Sequence, residues 1–386
     1  MDKKVKSSSE LLKNIPNKLF TGYYNPKKLL STNSAYLISI GGRNIGKTTA
    51  FELCIFWLWQ YHNRPSVLLR RMDSSFRGEK FKHIFDRAFE MIKNVKNYIG
   101  ITYRSGVYRG YWIIDGKKEY DKPFLYTYSL NSSNESQKGI YDIQNLGLIL
   151  FDEFLTRESY LVDEWDIFYN AISTVLRMNY QANIIMCANT VSWESPYFRE
   201  MHLTDIRELK QGDMREIRIS DTDTTVTVEY CADNVVSDSR KNIVDNRFFG
   251  FASRTAKMIK SGSWEIGNYP HYTSEMREKT VESVVMADGI YVESDSDIVE
   301  IEIINYKGLG VYCMVHPTNG IRKDYNVLYS ANRQRNDYRI HITPRSYNAV
   351  DKLIWTMYEN GLFLYADNAC GECVRNYWND VRNNRR

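Results

Sequence analysis

Long apolar runs are absent from this chain of 386 residues. None approaches the roughly 18–20 residues that a membrane-spanning helix needs, which argues against an integral membrane protein. The N-terminal stretch from Met1 to Ser7 is basic, but it lacks the apolar core of a secretory signal peptide. We therefore expect a cytoplasmic protein without a membrane partner.

Cysteine is also scarce, and only Cys370 and Cys373 form a closely spaced pair among the six. A zinc site of the usual kind needs a second pair of ligands, and no matching pair follows. Coincidental spacing is therefore favoured over zinc. The remaining cysteines lie in apolar or strand-like stretches, where buried reduced thiols are common: Cys54, Cys187, Cys231 and Cys313.

A strong charge of either sign is lacking too, since the net charge is only +4. Its distribution is uneven. Residues 320–386 carry 11 Lys and Arg against 7 Asp and Glu, whereas residues 281–304 carry 7 acids and no Lys or Arg. The pattern fits partners of both signs, and it equally fits the solvated faces of an ordinary domain.

The first half of the chain alternates apolar strands with helical segments, which predicts an α/β fold with a doubly wound sheet. Short strands are expected within 101–128. The other predicted strands span residues 36–40, 66–70, 145–151 and 183–188, and the helices 49–59, 76–95 and 163–179.

The pattern changes after about residue 196, so we predict three regions. Residues 1–200 form the first domain, 201–240 a linker with a hairpin, and 241–386 a smaller mixed α/β domain. The smaller domain has a predicted helix over 241–260, then strands at 289–293, 298–305, 310–316, 325–329 and 362–365, and helices at 346–360 and 371–383.

A phosphate-binding motif, G-x-x-x-x-G-K-[S/T] (Walker A), follows the first strand and opens the first long helix. In this setting backbone N–H groups turn toward the phosphates, and the helix N-terminus adds partial positive charge. The motif predicts binding of a nucleoside triphosphate, with ATP as the expected ligand. Its residues are Gly41, Gly42, Arg43, Asn44, Ile45, Gly46, Lys47 and Thr48, with Thr49 next to it.

Two acids, Asp152 and Glu153, follow the apolar run Leu148 to Phe151, as in a Walker B motif. With Lys47 on the β- and γ-phosphates, Thr48 and Asp152 would hold Mg²⁺, and Glu153 would activate the attacking water. Strands often end in acids, so this pair alone is weak evidence. Its position about 105 residues after the phosphate loop makes hydrolysis the favoured interpretation.

Other polar residues are candidates for supporting roles. Asn189 ends a further strand and could sense the γ-phosphate, or it could simply cap a turn. Arg43 could touch phosphate within the same subunit. Lys138 and Arg177, with Arg157 as a rival, could act on the nucleotide of a neighbouring subunit. A plain surface role remains open for each of these cations.

The loop from Gly41 to Thr48, together with Phe151-Asp152-Glu153-Phe154 and Asn189, resembles the viral DNA-packaging ATPases. The motif sequences are most similar to those of the encapsidation proteins of small short-tailed phages (Picovirinae-type), which are related to large terminase ATPases. The resemblance implies an additional-strand (ASCE) P-loop ATPase that uses ATP and Mg²⁺ to move double-stranded DNA. It also implies a homomeric ring, typically a pentamer, at the portal vertex of a prohead in the infected host cell, with a structural RNA as a further possible partner.

The same resemblance assigns the phosphate-loop roles to Lys47 and Thr48, the metal acid to Asp152 and the catalytic glutamate to Glu153. It suggests Arg177 and Lys138 as trans-acting cations. It further implies an RNase H-like C-terminal domain that has lost cleavage. The residues themselves leave a metal-dependent nuclease open, because three acids could still cluster: Asp295, Asp297 and Asp367.

Two segments are candidates for contact with nucleic acid. Arg109 and Trp112, with Tyr108 and Tyr111, are predicted to form a basic and aromatic hairpin tip, although a packed surface hairpin is the alternative. The basic tail could also bind RNA or DNA, or be solvated helix charge, through Arg375, Arg382, Arg385 and Arg386. A nucleotide-dependent switch protein without catalysis stays open as a third class of function.

Overall fold

The computed structural model describes residues 6–131, 143–232 and 269–383, with interruptions at 33, 44, 157–159, 162, 178, 180, 193–194, 204–205, 207, 221, 273–275, 277–282, 295–296, 331–336, 338 and 342–348. The chain divides into two compact units. The described residues of Met1–Thr156 and Asp163–Glu265 form the first, and those of Arg157–Val162 and Ile266–Arg386 the second. Each unit has its own sheet.

Ten strands form the sheet of the first unit: β1 (Tyr36–Gly41), β2 (Ser66–Arg70), β3 (Gly100–Arg104), β4 (Val107–Ile114), β5 (Lys117–Tyr120), β6 (Leu125–Ser129), β7 (Leu148–Asp152), β8 (Asn183–Asn189), β9 (Met214–Arg218) and β10 (Thr225–Tyr230). Their order is β3-β4-β6-β2-β7-β8-β1-β10-β9, and β5 pairs with β4. The six strands from β6 to β10 in this order are mutually parallel. Strand β8 thus lies between β7 and β1, the place of an additional strand between the acidic strand and the phosphate-loop strand.

Helices in the first unit are α1 (Ser8–Leu12), α2 (Lys27–Leu30), α3 (Lys47–His62), α4 (Glu79–Lys82), α5 (Asp86–Met91), α6 (Glu164–Leu176) and α7 (Pro196–Glu200), with 3₁₀ turns at Asn17–Phe20 and Asp73–Phe76. The prediction of a single helix over 76–95 is wrong, because two short helices, α4 and α5, lie there. A turn separates α4 from α5, where the Asp86 N–H donates to the His83 carbonyl (3.2 Å). The apolar positions Phe81, Phe85 and Ala88 are still buried, because both short helices pack on the same core.

The predicted hairpin of the 201–240 region adds to this sheet. Strand β10 pairs in parallel with β1, with Ile38 opposite Val228, and β9 pairs with β10 in antiparallel orientation. The first unit therefore extends past residue 200, where a boundary was predicted, because the β10 side chains Val226 and Val228 are fully buried. The helix predicted over 241–260 and the boundary at 240 and 241 lie outside the described residues.

The second unit has a six-stranded sheet with the order β15-β14-β11-β12-β13-β16. Strands β11, β12 and β13 are antiparallel neighbours, β14 runs parallel to β11, and β16 runs parallel to β13. The elements are β11 (Val284–Ser294), β12 (Asp297–Tyr306), β13 (Gly310–Pro317), β14 (Val327–Ser330), β15 (Ile340–His341), β16 (Phe363–Tyr365), α8 (Ala349–Glu359) and α9 (Asn368–Asn383).

Helix α9 contributes the buried side chains of Val374, Tyr377 and Trp378 to the core of this unit, alongside Ile290 of β11 and Val315 of β13. The Cys370 and Cys373 thiols, on the same helix, are buried and reduced. Throughout the described part of the chain, no helix combines the length and the apolar character that a membrane span requires.

Candidate functional site

The phosphate loop joins β1 to α3 and is shaped by two glycines. Gly46 has φ +82°, and a Cβ there would lie 2.5 Å from Cδ1 of Tyr23. A Cβ on Gly41 would lie 2.9 Å from the Cβ of Cys231. The Tyr24 N–H donates to the Ile45 carbonyl (2.7 Å), which ties the loop to the segment before β1. Backbone conformation and neighbouring atoms thus both require glycine at position 46.

Lys47 points into this loop. Its buried Nζ donates to the carbonyls of Gly42 (2.7 Å) and Gly41 (3.1 Å) and lies 3.4 Å from Oδ1 of Asn189. Asn189 reaches this position because it ends β8 directly beside Gly41 at the end of β1. The structure therefore brings together the predicted phosphate-binding lysine and the predicted γ-phosphate sensor.

The two predicted metal-binding side chains also meet. The Thr48 hydroxyl donates to Oδ1 of Asp152 (2.9 Å), and the thiol of Cys187 on β8 lies 3.2 Å from the same oxygen. Asp152 is almost fully buried at the carboxyl end of β7. A hydroxyl and a carboxylate are hard oxygen donors of the kind that Mg²⁺ accepts, usually with water and phosphate oxygens completing the octahedron. This donor set fits magnesium.

Arg70 also belongs to the site, although no sequence motif predicted it. Its Nη2 lies 2.6 Å from Oδ2 of Asp152, because Leu69 pairs with Phe151 and the next residues of β2 and β7 are neighbours. Burial lowers the pKa of the guanidinium, but the charge and hydrogen bond of Asp152 outweigh this and raise it overall. Asp152 thus already has a cationic partner. A charged residue ending a buried parallel strand was the available signal.

Glu52 is a second residue near the site that was not predicted, and it lies one helical turn after Thr48 on α3. Desolvation of its carboxyl and the charge of Asp152 raise the pKa of Glu52 to about 8, although Arg70 opposes the shift. Desolvation and a nearby carboxylate both disfavour the charged form of Glu52.

Glu153 leaves the sheet differently from Asp152. It has φ +60°, its N–H donates to the Cys187 carbonyl (2.8 Å), and its side chain is exposed. A left-handed conformation is uncommon for glutamate and strains the backbone. Asp152 is thus bonded to Thr48, whereas the next side chain, Glu153, faces solvent.

The other predicted nucleotide-binding residues lie along the same loop. Gly42 and Ile45 are buried, and Arg43 and Thr49 are partly exposed. The Nε of Arg43 is buried and donates to no atom of the described residues. Arg177 is exposed directly after α6. Asn44, Lys138 and Arg157 lie outside the described residues, and the trans-acting roles of Arg177 and Lys138 stay predictions.

The prediction that a basic and aromatic segment forms a hairpin tip is wrong, because the segment lies within a strand. Tyr108 is fully buried, and Arg109 and Trp112 lie within β4, whose turns are at Ser105-Gly106 and Asp115-Gly116. The Trp112 indole N–H donates to the Lys96 carbonyl (3.0 Å), and its ring packs on Tyr98. Period-two burial in a strand explains this placement. A DNA contact by Arg109 or Trp112 stays a prediction. The Arg382 side chain and Arg385 lie outside the described residues.

Three acids on β11 and β12 of the second unit contact basic groups. Arg322 Nη2 lies 2.9 Å from Oε1 of Glu300 and 3.1 Å from Oδ2 of Asp288. His316 lies 3.4 Å from Glu302. Within the described residues, no three His, Cys, Asp or Glu side chains form a group that could hold a metal. Asp295, one of the three acids of the nuclease interpretation, lies outside them.

A comparison with known protein families matches the part of the chain that contains this site. The family model of the podovirus DNA encapsidation protein (Gp16) matches residues 19–211, which is half of the chain and includes the phosphate loop, Asp152, Glu153 and Asn189. The chain belongs to this family. No curated protein matches it.

Two solved structures share the fold over nearly the whole chain. One, described as the bacteriophage Phi-29 viral genome packaging motor assembly, is 16% identical with a TM-score of 0.57, covering 94% of this chain and 100% of that chain. The other, described as the Phi-28 gp11 DNA packaging motor, is 14% identical with a TM-score of 0.53, covering 93% and 97%. At these identities the likeness concerns the fold.

Proposed function

We propose that this encapsidation protein is an ATPase that drives double-stranded viral DNA into a prohead. The observation that carries the proposal is the contact of Thr48 with Asp152, beside Lys47, which assembles the parts of a nucleotide-hydrolysing site at one edge of the sheet. Family membership supports the packaging role. The site and the family thus point to the same activity.

ATP would place its β- and γ-phosphates against the loop amides and the ammonium of Lys47. Lys47 would then exchange its contacts with the Gly41 and Gly42 carbonyls for phosphate oxygens. Thr48 and Asp152 would hold Mg²⁺, which neutralises charge on the phosphates when bound. Exposed Glu153 would orient and deprotonate the water that attacks the γ-phosphorus.

Asn189 is the proposed sensor of this step. Its amide oxygen lies 3.4 Å from Nζ of Lys47, so a change in the position of the lysine on phosphate binding alters a contact of β8. Loss of the γ-phosphate would restore the present arrangement. We infer that this exchange couples hydrolysis to movement of the protein.

The partners follow from the family and are part of the proposal. A homomeric ring, typically a pentamer, would act at the portal vertex of a prohead in the host cytoplasm, with a structural RNA as a further partner. Arg177, exposed after α6, would stabilise charge on a neighbour's nucleotide, and Lys138 would assist. DNA would be gripped through its phosphates, so binding should weaken steeply with salt.

We further propose that the second unit is RNase H-like and does not cleave nucleic acid. Three consecutive antiparallel strands followed by a strand parallel to the first support the fold. The ion pairs of Arg322 with Asp288 and Glu300 support the absence of cleavage, because carboxylates held by an arginine are not free for two metal ions. A metal-dependent nuclease is the alternative, with Asp297 and Asp367 as its test positions.

The decisive experiment measures ATP hydrolysis with and without double-stranded DNA and proheads over a salt titration. Wild type should hydrolyse ATP faster with DNA and proheads at low salt, and Glu153→Gln should bind nucleotide without turnover. Binding with no hydrolysis in wild type would favour a switch protein. Hydrolysis that neither DNA nor proheads stimulate at any salt would refute the motor. Cutting of DNA that Asp297→Ala removes would favour the nuclease.

A further inference from the structure

Strand β2 is followed by a second arginine, Arg71, whose guanidinium contacts the backbone of Glu153 and Phe154. Its Nη2 donates to the carbonyl of Phe154 (2.6 Å), and its Nη1 lies 3.4 Å from the carbonyl of Glu153. The two arginines thus contact different parts of the segment from Asp152 to Phe154: Arg70 contacts a side chain, and Arg71 contacts the backbone.

The guanidinium of Arg71 is itself held in place by Glu164, the first residue of α6. Nε and Nη2 lie 2.7 and 2.8 Å from the two carboxylate oxygens, a bidentate pair. The Tyr197 hydroxyl of α7 donates to the same carboxylate (2.5 Å). The side chains of Arg71 and Glu164 are 10% and 0% exposed. Burial and the number of charge-assisted bonds leave this network little freedom.

The backbone that Arg71 holds is the strained one. Glu153 has φ +60°, a conformation that costs about 1–3 kcal/mol for a residue other than glycine unless its surroundings impose it. The following Phe154 is fully buried, with its ring edge-on to Tyr197 at 5.7 Å. Tyr197 thus contacts both the ring that follows Glu153 and the carboxylate that orients Arg71.

We propose that Arg71 is a positioning residue for hydrolysis, which keeps Glu153 in its left-handed conformation and aims its carboxylate at the attacking water. The proposal rests on the proposed ATPase function. If Arg71 only stabilised the fold, its ion pair with Glu164 would be enough. Arg71 also donates to the backbone on the C-terminal side of the catalytic glutamate. Displacing a catalytic group by about 1 Å can lower a rate about 100-fold.

The test compares Arg71→Lys with a matched variant in the full-length protein. Lysine keeps the charge but cannot bridge Glu164 and the Phe154 carbonyl with a planar fork. The control is Arg339→Lys in the second unit, where Arg339 pairs with Asp337 at 2.8 Å and also donates to the backbone carbonyls of Lys323 and Tyr325. Measurements are kcat and KM for ATP, the affinity for a fluorescent ATP analogue, and the unfolding temperature. The kcat of each protein is measured at the same number of degrees below its own unfolding temperature.

Arg71→Lys should lower kcat about 10- to 100-fold while KM and analogue affinity stay within about twofold, because the phosphate loop is untouched. Arg339→Lys should leave kcat near wild type, because its acid and carbonyl partners lie in the second unit. Equal effects of the two variants on kcat, or a parallel loss of nucleotide affinity, would overturn the positioning role. If Arg71→Lys does not fold, Glu164→Gln replaces it, with a smaller fall in kcat expected and an unchanged kcat counting against the proposal. Absence of ATPase activity in wild type would instead refute the proposed function.

Discussion

Replacing Glu52 by glutamine should change how the stability of the nucleotide-free protein depends on pH. The carboxyl lies near Asp152 and Arg70, and desolvation followed by the charge of Asp152 raises its pKa from 4.5 to about 8. Folding therefore favours the protonated form of Glu52. Glutamine resembles that neutral form in size and polarity, so the substitution isolates the electrostatic effect.

The sign and magnitude follow from linkage between proton binding and folding. Between pH 4.5 and about 8 the folded state keeps a proton that the unfolded state loses. Stability from this group is fully present below pH 4.5 and declines as pH rises through this range, with a limiting slope of about 1.4 kcal/mol per pH unit. Glu52→Gln lacks this decline, so its advantage over wild type should grow with pH and level off above about 8.

Urea unfolding of both proteins from pH 5 to 9 measures the difference in free energy of unfolding, in which other titrating groups cancel. Glu119→Gln on strand β5 is the control, because it makes the same chemical change at a solvent-exposed position. Parallel stability profiles for wild type and Glu52→Gln would refute the reasoning. They would mean that the Glu52 carboxylate is solvated or paired in the folded protein.

Three further substitutions have definite expectations. Gly46→Ala should abolish binding of a fluorescent ATP analogue, since φ +82° and Cδ1 of Tyr23 at 2.5 Å oppose a Cβ; retained affinity would contradict the loop geometry. Arg70→Gln should lower stability by about 3 kcal/mol by leaving Asp152 buried without its cation, and Mg²⁺ with ATP analogue should raise its unfolding temperature more than that of wild type. Equal ligand-induced shifts of the unfolding temperature in wild type and Arg70→Gln would count against Arg70 as the cation that pairs with Asp152. Tyr197→Phe should lower the unfolding temperature with a smaller fall in kcat than Arg71→Lys, and a larger fall would place the tyrosine, not the arginine, in control of Glu153.

The core of the site could be predicted because its evidence is local. The phosphate loop requires a strand before it and a helix after it, and both are in place as β1 and α3. Asp152 and Glu153 follow a short buried strand whose apolar run has no polar interruption. Each motif carries its own secondary structure, so no knowledge of strand order was needed to expect that Thr48 and Asp152 meet at the carboxyl ends of parallel strands.

The hairpin region shows where local reasoning fails. Turn residues at Ser105-Gly106 and Asp115-Gly116 correctly indicated the ends of β4. They did not tell which face of that strand packs on the core. Tyr108 is buried against Phe85 and Phe124, so an apparently basic and aromatic segment is partly a core strand. Aromatic residues are enriched in strands for packing as well as for binding, and composition cannot separate the two.

The two arginines after β2 show what strand pairing adds. Neither Arg70 nor Arg71 belongs to a motif, and in the sequence they merely end an apolar run. Once Leu69 pairs with Phe151, Arg70 must lie beside Asp152. The next residue, Arg71, reaches the backbone that follows Glu153. Long-range register, rather than residue type, therefore gives consecutive identical residues different tasks, one on the metal-binding acid and one on the catalytic turn.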